Sequence, residues 1–124
     1  RGLNEASEVI PMAKFLFIYR SPSDAPQEAP SPEQMQGIMA EWHAWFRKVG
    51  DAMIDGGDGL QPTGRIVRPG GVVSDGPFIE AKELVGGYSI VEASSYDQAV
   101  EHARSCPIVT SGGTIEVREL AGFN

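Results

Sequence analysis

Cysteine is almost missing from this chain. Cys106 stands alone among 124 residues, so no internal disulfide and no cysteine-based zinc site can form, and a cytoplasmic setting is the natural expectation. Cations are scarce as well: ten Lys and Arg face seventeen Asp and Glu, a net charge of −7. A field of that sign repels nucleic-acid phosphates and anionic lipid surfaces, so neither nucleic acid nor a membrane is an expected partner. No apolar run approaches the roughly 20 residues that span a bilayer. Sequence signatures of cofactor chemistry are equally absent: there is no phosphate loop, no dinucleotide fingerprint and no nucleophile elbow. Residues 55–64 are rich in Asp and Gly but lack the ligand spacing and closing Glu of a calcium loop, and read as a plain turn-rich connection. No cofactor and no metal site is expected.

What remains is one domain of 41% hydrophobic and 22% charged composition, as in ordinary globular proteins. Residues 1–11 lack the apolar core of a signal peptide and precede Met12, so they read as an expression remnant or disordered extension, and the domain as residues 12–124. Residues 13–20 are aromatic and β-rich. Their alternation sets Phe15, Phe17 and Tyr19 on one face and Leu16 and Ile18 on the other, so both faces need cover. A proline-rich loop then leads to Ser31-Pro32-Glu33-Gln34, a capping box with proline at the first helical position. Met35, Ile38, Met39, Trp42, Trp45, Phe46 and Val49 follow as a single helical stripe. Arg65 to Arg68 and Val72 to Ser74 read as strand pieces around a Pro-Gly-Gly turn, and Leu84 to Ala93 as a longer strand. A second helix opens at Ser94 or Ser95, turns Tyr96, Ala99, Val100, Ala103 and Cys106 inward and stops at Pro107, before a last strand from Thr114 to Leu120. The order β-α-β-β-α-β predicts an α+β, ferredoxin-like protomer: an antiparallel sheet with two helices on one face. The uncovered sheet face then calls for a second copy in a twofold dimer.

Few residues carry chemistry. His43 lies on the flank of the first helical stripe, where an imidazole can reach the edge of a cavity and serve as general acid or base. His102 and Cys106 share one helical side, but two ligands do not make a zinc site, so Cys106 reads as core and His102 as solvated. Asp75 precedes Gly76-Pro77-Phe78. A turn aspartate usually accepts the N–H two residues on, yet here that residue is proline, so its carboxylate needs another partner. A histidine, or a cation such as Arg65, Arg68 or Lys82, or the Phe78 N–H would each serve. Glu80 and Lys82 share a face if that segment is extended, an exposed pair worth about 0–1 kcal/mol.

Several blocks in order give residues 12–120 a resemblance to the YCII-related family, in its DGPF-type branch. They are Asp75-Gly76-Pro77-Phe78, Glu80-Ala81-Lys82-Glu83, Gly86-Gly87-Tyr88, Cys106-Pro107 and Gly113 to Arg118. The resemblance implies a dimeric α+β barrel that pairs through the sheet face, with Gly76, Pro77, Phe78, Glu80 and Glu83 as motif residues. It also implies His43 and Asp75 as an acid-base pair, similar to that proposed in cofactor-free dehydrochlorinases and lactone isomerases. Arg20, Arg68 and Lys82 are the cations available to hold a small organic acid or lactone. The alternative it implies is a ligand-binding or regulatory protein associated with alternative sigma factors.

Overall fold

Strand β1 (Ala13–Pro22) occupies an interior position of a four-stranded sheet, as its two apolar faces require. The protein is described by a computed structural model over residues 11–22, 29–76 and 83–123. On one side β1 pairs with β5 (Glu83–Ala93) and on the other with β6 (Thr114–Glu119), while β2 (Met53–Gly59) adds outside β5. The order β2-β5-β1-β6 has every neighbour antiparallel. Phe15, Phe17 and Tyr19 are buried, and opposite them β5 presents Val91 and Ser89, both fully buried. Helices α1 (Pro32–Val49) and α2 (Tyr96–Arg104) cover that face. Trp45 of α1 stacks on Phe17 at 6.4 Å between ring centroids, and Tyr96 of α2 meets Phe15 edge-on at 4.9 Å. Each such aromatic pair adds about 0.5–1.5 kcal/mol beyond its buried area. The α+β arrangement expected from the sequence is therefore the one formed.

Local chemistry sets the helix ends. The Gln34 N–H donates to Ser31 Oγ at 3.1 Å and the Ser31 N–H to Gln34 Oε1 at 2.8 Å, so the capping box closes reciprocally. Gly50, at φ 67°, ends α1. Ser95 caps α2 by accepting the Gln98 N–H at 3.1 Å. Pro107 opens a short third helix, α3 (Pro107–Thr110), because its missing N–H costs nothing at a first helical position. Cys106 precedes it in extended backbone and is fully buried, with its thiol pushed up to about 11 by that burial. Burial likewise raises the Tyr19 phenol.

The second sheet strand is not where hydrophobic pattern placed it. Met53 to Gly59 pairs with β5, whereas β3 (Gly64–Val67) and β4 (Val73–Gly76) form a separate two-stranded ribbon. Glycine and aspartate disfavour strands in general, but here the register demands them. Gly57 has φ 68°, and a Cβ added to it would fall on the Tyr88 carbonyl. At Gly87 an added Cβ would lie 2.8 Å from the Asp58 carbonyl. Asp55 and Asp58 turn their side chains back to accept the Gly57 and Gly59 N–H groups, each at 2.8 Å. The register shifts on either side of Asp55 mark where this strand bulges.

The opposite sheet face carries Leu16, Ile18 and Ile90, all half-buried, beside an ion-pair cluster in which Glu116 receives Arg20 at 2.9 Å and Arg118 at 3.4 Å. The hydrogen bond from Arg20 holds Glu116 below the usual carboxylate range.

Two expectations follow. Gly57→Ala meets both an unfavourable φ and a backbone collision, whereas Gly70→Ala, at φ 83° with nothing within 4 Å of the added Cβ, meets the φ cost alone. Urea denaturation is expected to show about 1 kcal/mol lost at Gly70 and about 3 kcal/mol or more at Gly57; equal losses would refute the close approach. Cys106 and Tyr19 are acids whose folded values are raised, so the unfolded chain releases these protons first. Their stabilisation is complete below the ordinary thiol range of about 8.5 and falls as pH rises through it. The urea midpoint should drop between pH of about 8 and about 10.5, less steeply in Cys106→Ala; a thiol that reacted freely in the folded protein would contradict its burial.

Candidate functional site

Helix α1 turns an i, i+4 series toward the glycine-rich strands. Ile38, Trp42 and Phe46 form one row, and Met39 and His43 the row beside it. Below them Gly56, Gly57 and Gly59 of β2 and Gly86 and Gly87 of β5 present backbone without side chains. Helix and strands therefore stand apart around a cavity of about 500 Å³. Such a volume falls in the range of small-molecule sites, and its walls are mostly apolar, as those of such sites are. Tyr19, Ser21, Asp58, Tyr88 and Ile108 complete the lining.

The aromatic wall is braced from behind. Trp42 meets Tyr19 edge-on at 5.3 Å and Trp45 at 5.8 Å, and Phe46 packs against both tryptophans. The Trp45 indole N–H donates to the His102 carbonyl at 2.9 Å, which ties α1 to α2. Beneath, the Tyr19 hydroxyl donates to Ser89 Oγ at 2.6 Å, and Ser89 donates onward to the Gly56 carbonyl at 2.7 Å. This chain links β1, β5 and β2 through groups that burial would otherwise leave unpaired.

His43 lines the cavity, with its side chain open to solvent. Asp58 lines the same cavity. Asp75 is not among the lining residues: it sits on β4, opposite Arg65, with 99% of its side chain exposed and the Arg65 guanidinium 3.9 Å away. Of the partners its sequence context left open, Arg65 is the one the described residues bring near. Gly76 ends β4, where an added Cβ would come within 2.8 Å of Ile66 Cγ1. Arg20 is engaged with Glu116, and neither it nor Arg68 lines the cavity. Arg68 closes the turn of the β3–β4 ribbon through its N–H to the Val72 carbonyl at 2.7 Å. Glu83 opens β5 opposite Pro22. Pro77, Phe78, Glu80 and Lys82 lie outside the described residues.

Sequence reasoning did not select Tyr19, Asp58, Ser89 or the glycine floor as site components. A signal was present: two glycine clusters, Gly56-Gly57-Asp58-Gly59 and Gly86-Gly87, fall where two strands pair, and paired strands without side chains leave space.

The sequence is similar to known proteins. An uncharacterized protein of Rhizobium meliloti (strain 1021) is 41% identical over 51 residues, a stretch that covers 40% of this chain and 41% of that protein. The chain thus spans well under half the length of that curated relative. The family model described as the YCII-related domain matches residues 16–124, nearly all of the sheet and, among the described residues, every helix, and the chain belongs to that family.

Proposed function

We propose that the cavity between α1 and the β2–β5 floor binds a small organic acid or lactone, and that His43 moves a proton on it in a cofactor-free lyase or isomerase reaction. The observation that carries this reading is the position of His43 at the rim of a 500 Å³ cavity with aromatic walls. An imidazole nitrogen can both accept a proton from carbon and return it, so an isomerisation needs no other reactant. In an elimination the same nitrogen takes the proton while the leaving group departs with the bonding electrons. Asp58, a residue that lines the same cavity, is one candidate to orient the imidazole; Asp75 is the other, supported by its place in the motif.

Proton abstraction can be read without knowing the product. Lactones and ring acids that stabilise the protein thermally are incubated with it in D2O, and loss of their carbon-bound proton signals is followed by NMR. Exchange by the native chain should fall about 10²–10⁴-fold in His43→Ala, and the larger fall between Asp58→Asn and Asp75→Asn names the carboxylate that orients the imidazole. Ligands that bind without exchange would leave a binding protein and remove the enzyme.

We also propose that a second copy covers the Leu16, Ile18 and Ile90 face, since contiguous apolar surface of this kind marks association. Light scattering should give twice 13.3 kDa, and Ile18→Lys should halve it. A native monomer at micromolar concentration would exclude the dimer.

A further inference from the structure

Burial alternates along the β3–β4 ribbon. Gly64, Ile66, Ser74 and Gly76 form one face and are half-buried, whereas Arg65, Val67, Val73 and Asp75 form the other and are exposed. On that open face the cross-strand pair Val67 and Val73 is 71% and 59% exposed, with Val72 beside it at 58%. A single exposed valine is ordinary; two paired across a ribbon, with a third adjoining, make a continuous apolar patch. Among the described residues the two ribbon strands pair with each other and with no strand of the larger sheet. Two strands with one face open to water are marginally stable by themselves, so a cover on this face stabilises the ribbon as well as burying the valines.

The order of charges identifies the cover. Arg65 and Asp75 stand opposite each other, one step along the same face from the valine pair, with their charged groups 3.9 Å apart and exposed. A twofold axis parallel to the strands lays β3 over the partner's β4. Val67 then meets the partner's Val73 and Arg65 the partner's Asp75, and each contact occurs twice. An axis across the strands lays β3 over the partner's β3 and matches no opposite charges.

We propose that the open face of the ribbon docks on the same face of a second copy, with Val67 against the partner's Val73 and Arg65 against the partner's Asp75. The contact adds to the sheet-face dimer proposed above and rests on that reading for its strength. A patch of so few side chains falls short of the roughly 1,000 Å² that a stable interface buries. It holds where another contact already keeps the two chains at high effective concentration, so the ribbons clasp the dimer about its own axis.

Charge reversal reads the match directly, because Arg65→Asp or Asp75→Arg alone sets like charges over each other. Analytical ultracentrifugation should show the dimer's dissociation constant rise about tenfold in either variant. It should return toward the native value when the two variants are mixed, and likewise in a chain that carries both substitutions. Mixing restores nothing if the effect is confined to each chain's own Arg65–Asp75 pair, and that result would overturn the proposal. Because Cys106 is buried, a short bis-maleimide reaches introduced thiols: Val67→Cys chains should be joined to Val73→Cys chains faster than either is joined to itself. A native monomer at micromolar concentration would overturn both this contact and the sheet-face dimer. A dimer that Ile18→Lys dissociates, but that the ribbon variants leave unchanged or whose ribbon thiols do not cross-link, would remove the ribbon contact alone. Cross-linked ribbons in a dimer that Ile18→Lys leaves intact would support the ribbon contact and remove the sheet face.

Discussion

The close backbone approach of β2 to β5 is the constraint on which the rest depends. Gly57 lies so near Tyr88, and Gly87 so near Asp58, that neither position admits a Cβ without displacing backbone. Side chains excluded from that floor cannot fill the space beneath α1. Protein interiors ordinarily close such gaps to crystal-like density; here the packing stops at Tyr19 and Trp42, and the remainder is a cavity. The same approach brings the Gly56 carbonyl to Ser89, and through it to Tyr19, so one backbone contact sets both the volume of the site and the polarity of its wall.

Much of the framework was legible because its determinants are local. Alternation in β1 and the capping box at Ser31 each follow from a few adjacent residues, and both formed as written. Strand β2 was not legible. Its Asp-Gly-Gly-Asp-Gly run looks like a connection because it has almost no side chains to bury, and only the ladder supplied by β5 makes it a strand. The site inherited that gap, since its floor is that strand. Helical spacing alone put His43 on the flank of its stripe, but Asp58 and Tyr19 come to line the same cavity only through pairings separated widely in sequence.

The Asp75-Gly76 segment ends one strand of the β3–β4 ribbon. At Gly76 the requirement is steric, a Cβ there meeting Ile66 across the β3–β4 ribbon. At Asp75 the partner within reach is an arginine on the paired strand, in an exposed geometry that contributes little to stability. Both observations describe how a ribbon is built.

Burial along α1 then becomes intelligible. Its stripe runs from Met35 to Val49, longer than one core requires, and burial declines along it toward the N-terminus. Trp45 and Val49 are buried, Trp42 and Phe46 half-buried, and Ile38 and Met39 are 40% and 46% exposed. An amphipathic helix packed on a continuous floor would bury its stripe evenly. This helix instead crosses from a floor of Phe17 and its neighbours to a floor of glycines, so the same apolar periodicity first packs a core and then lines a cavity. His43 lies beside the second part of that stripe, where an imidazole can face both solvent and a bound molecule.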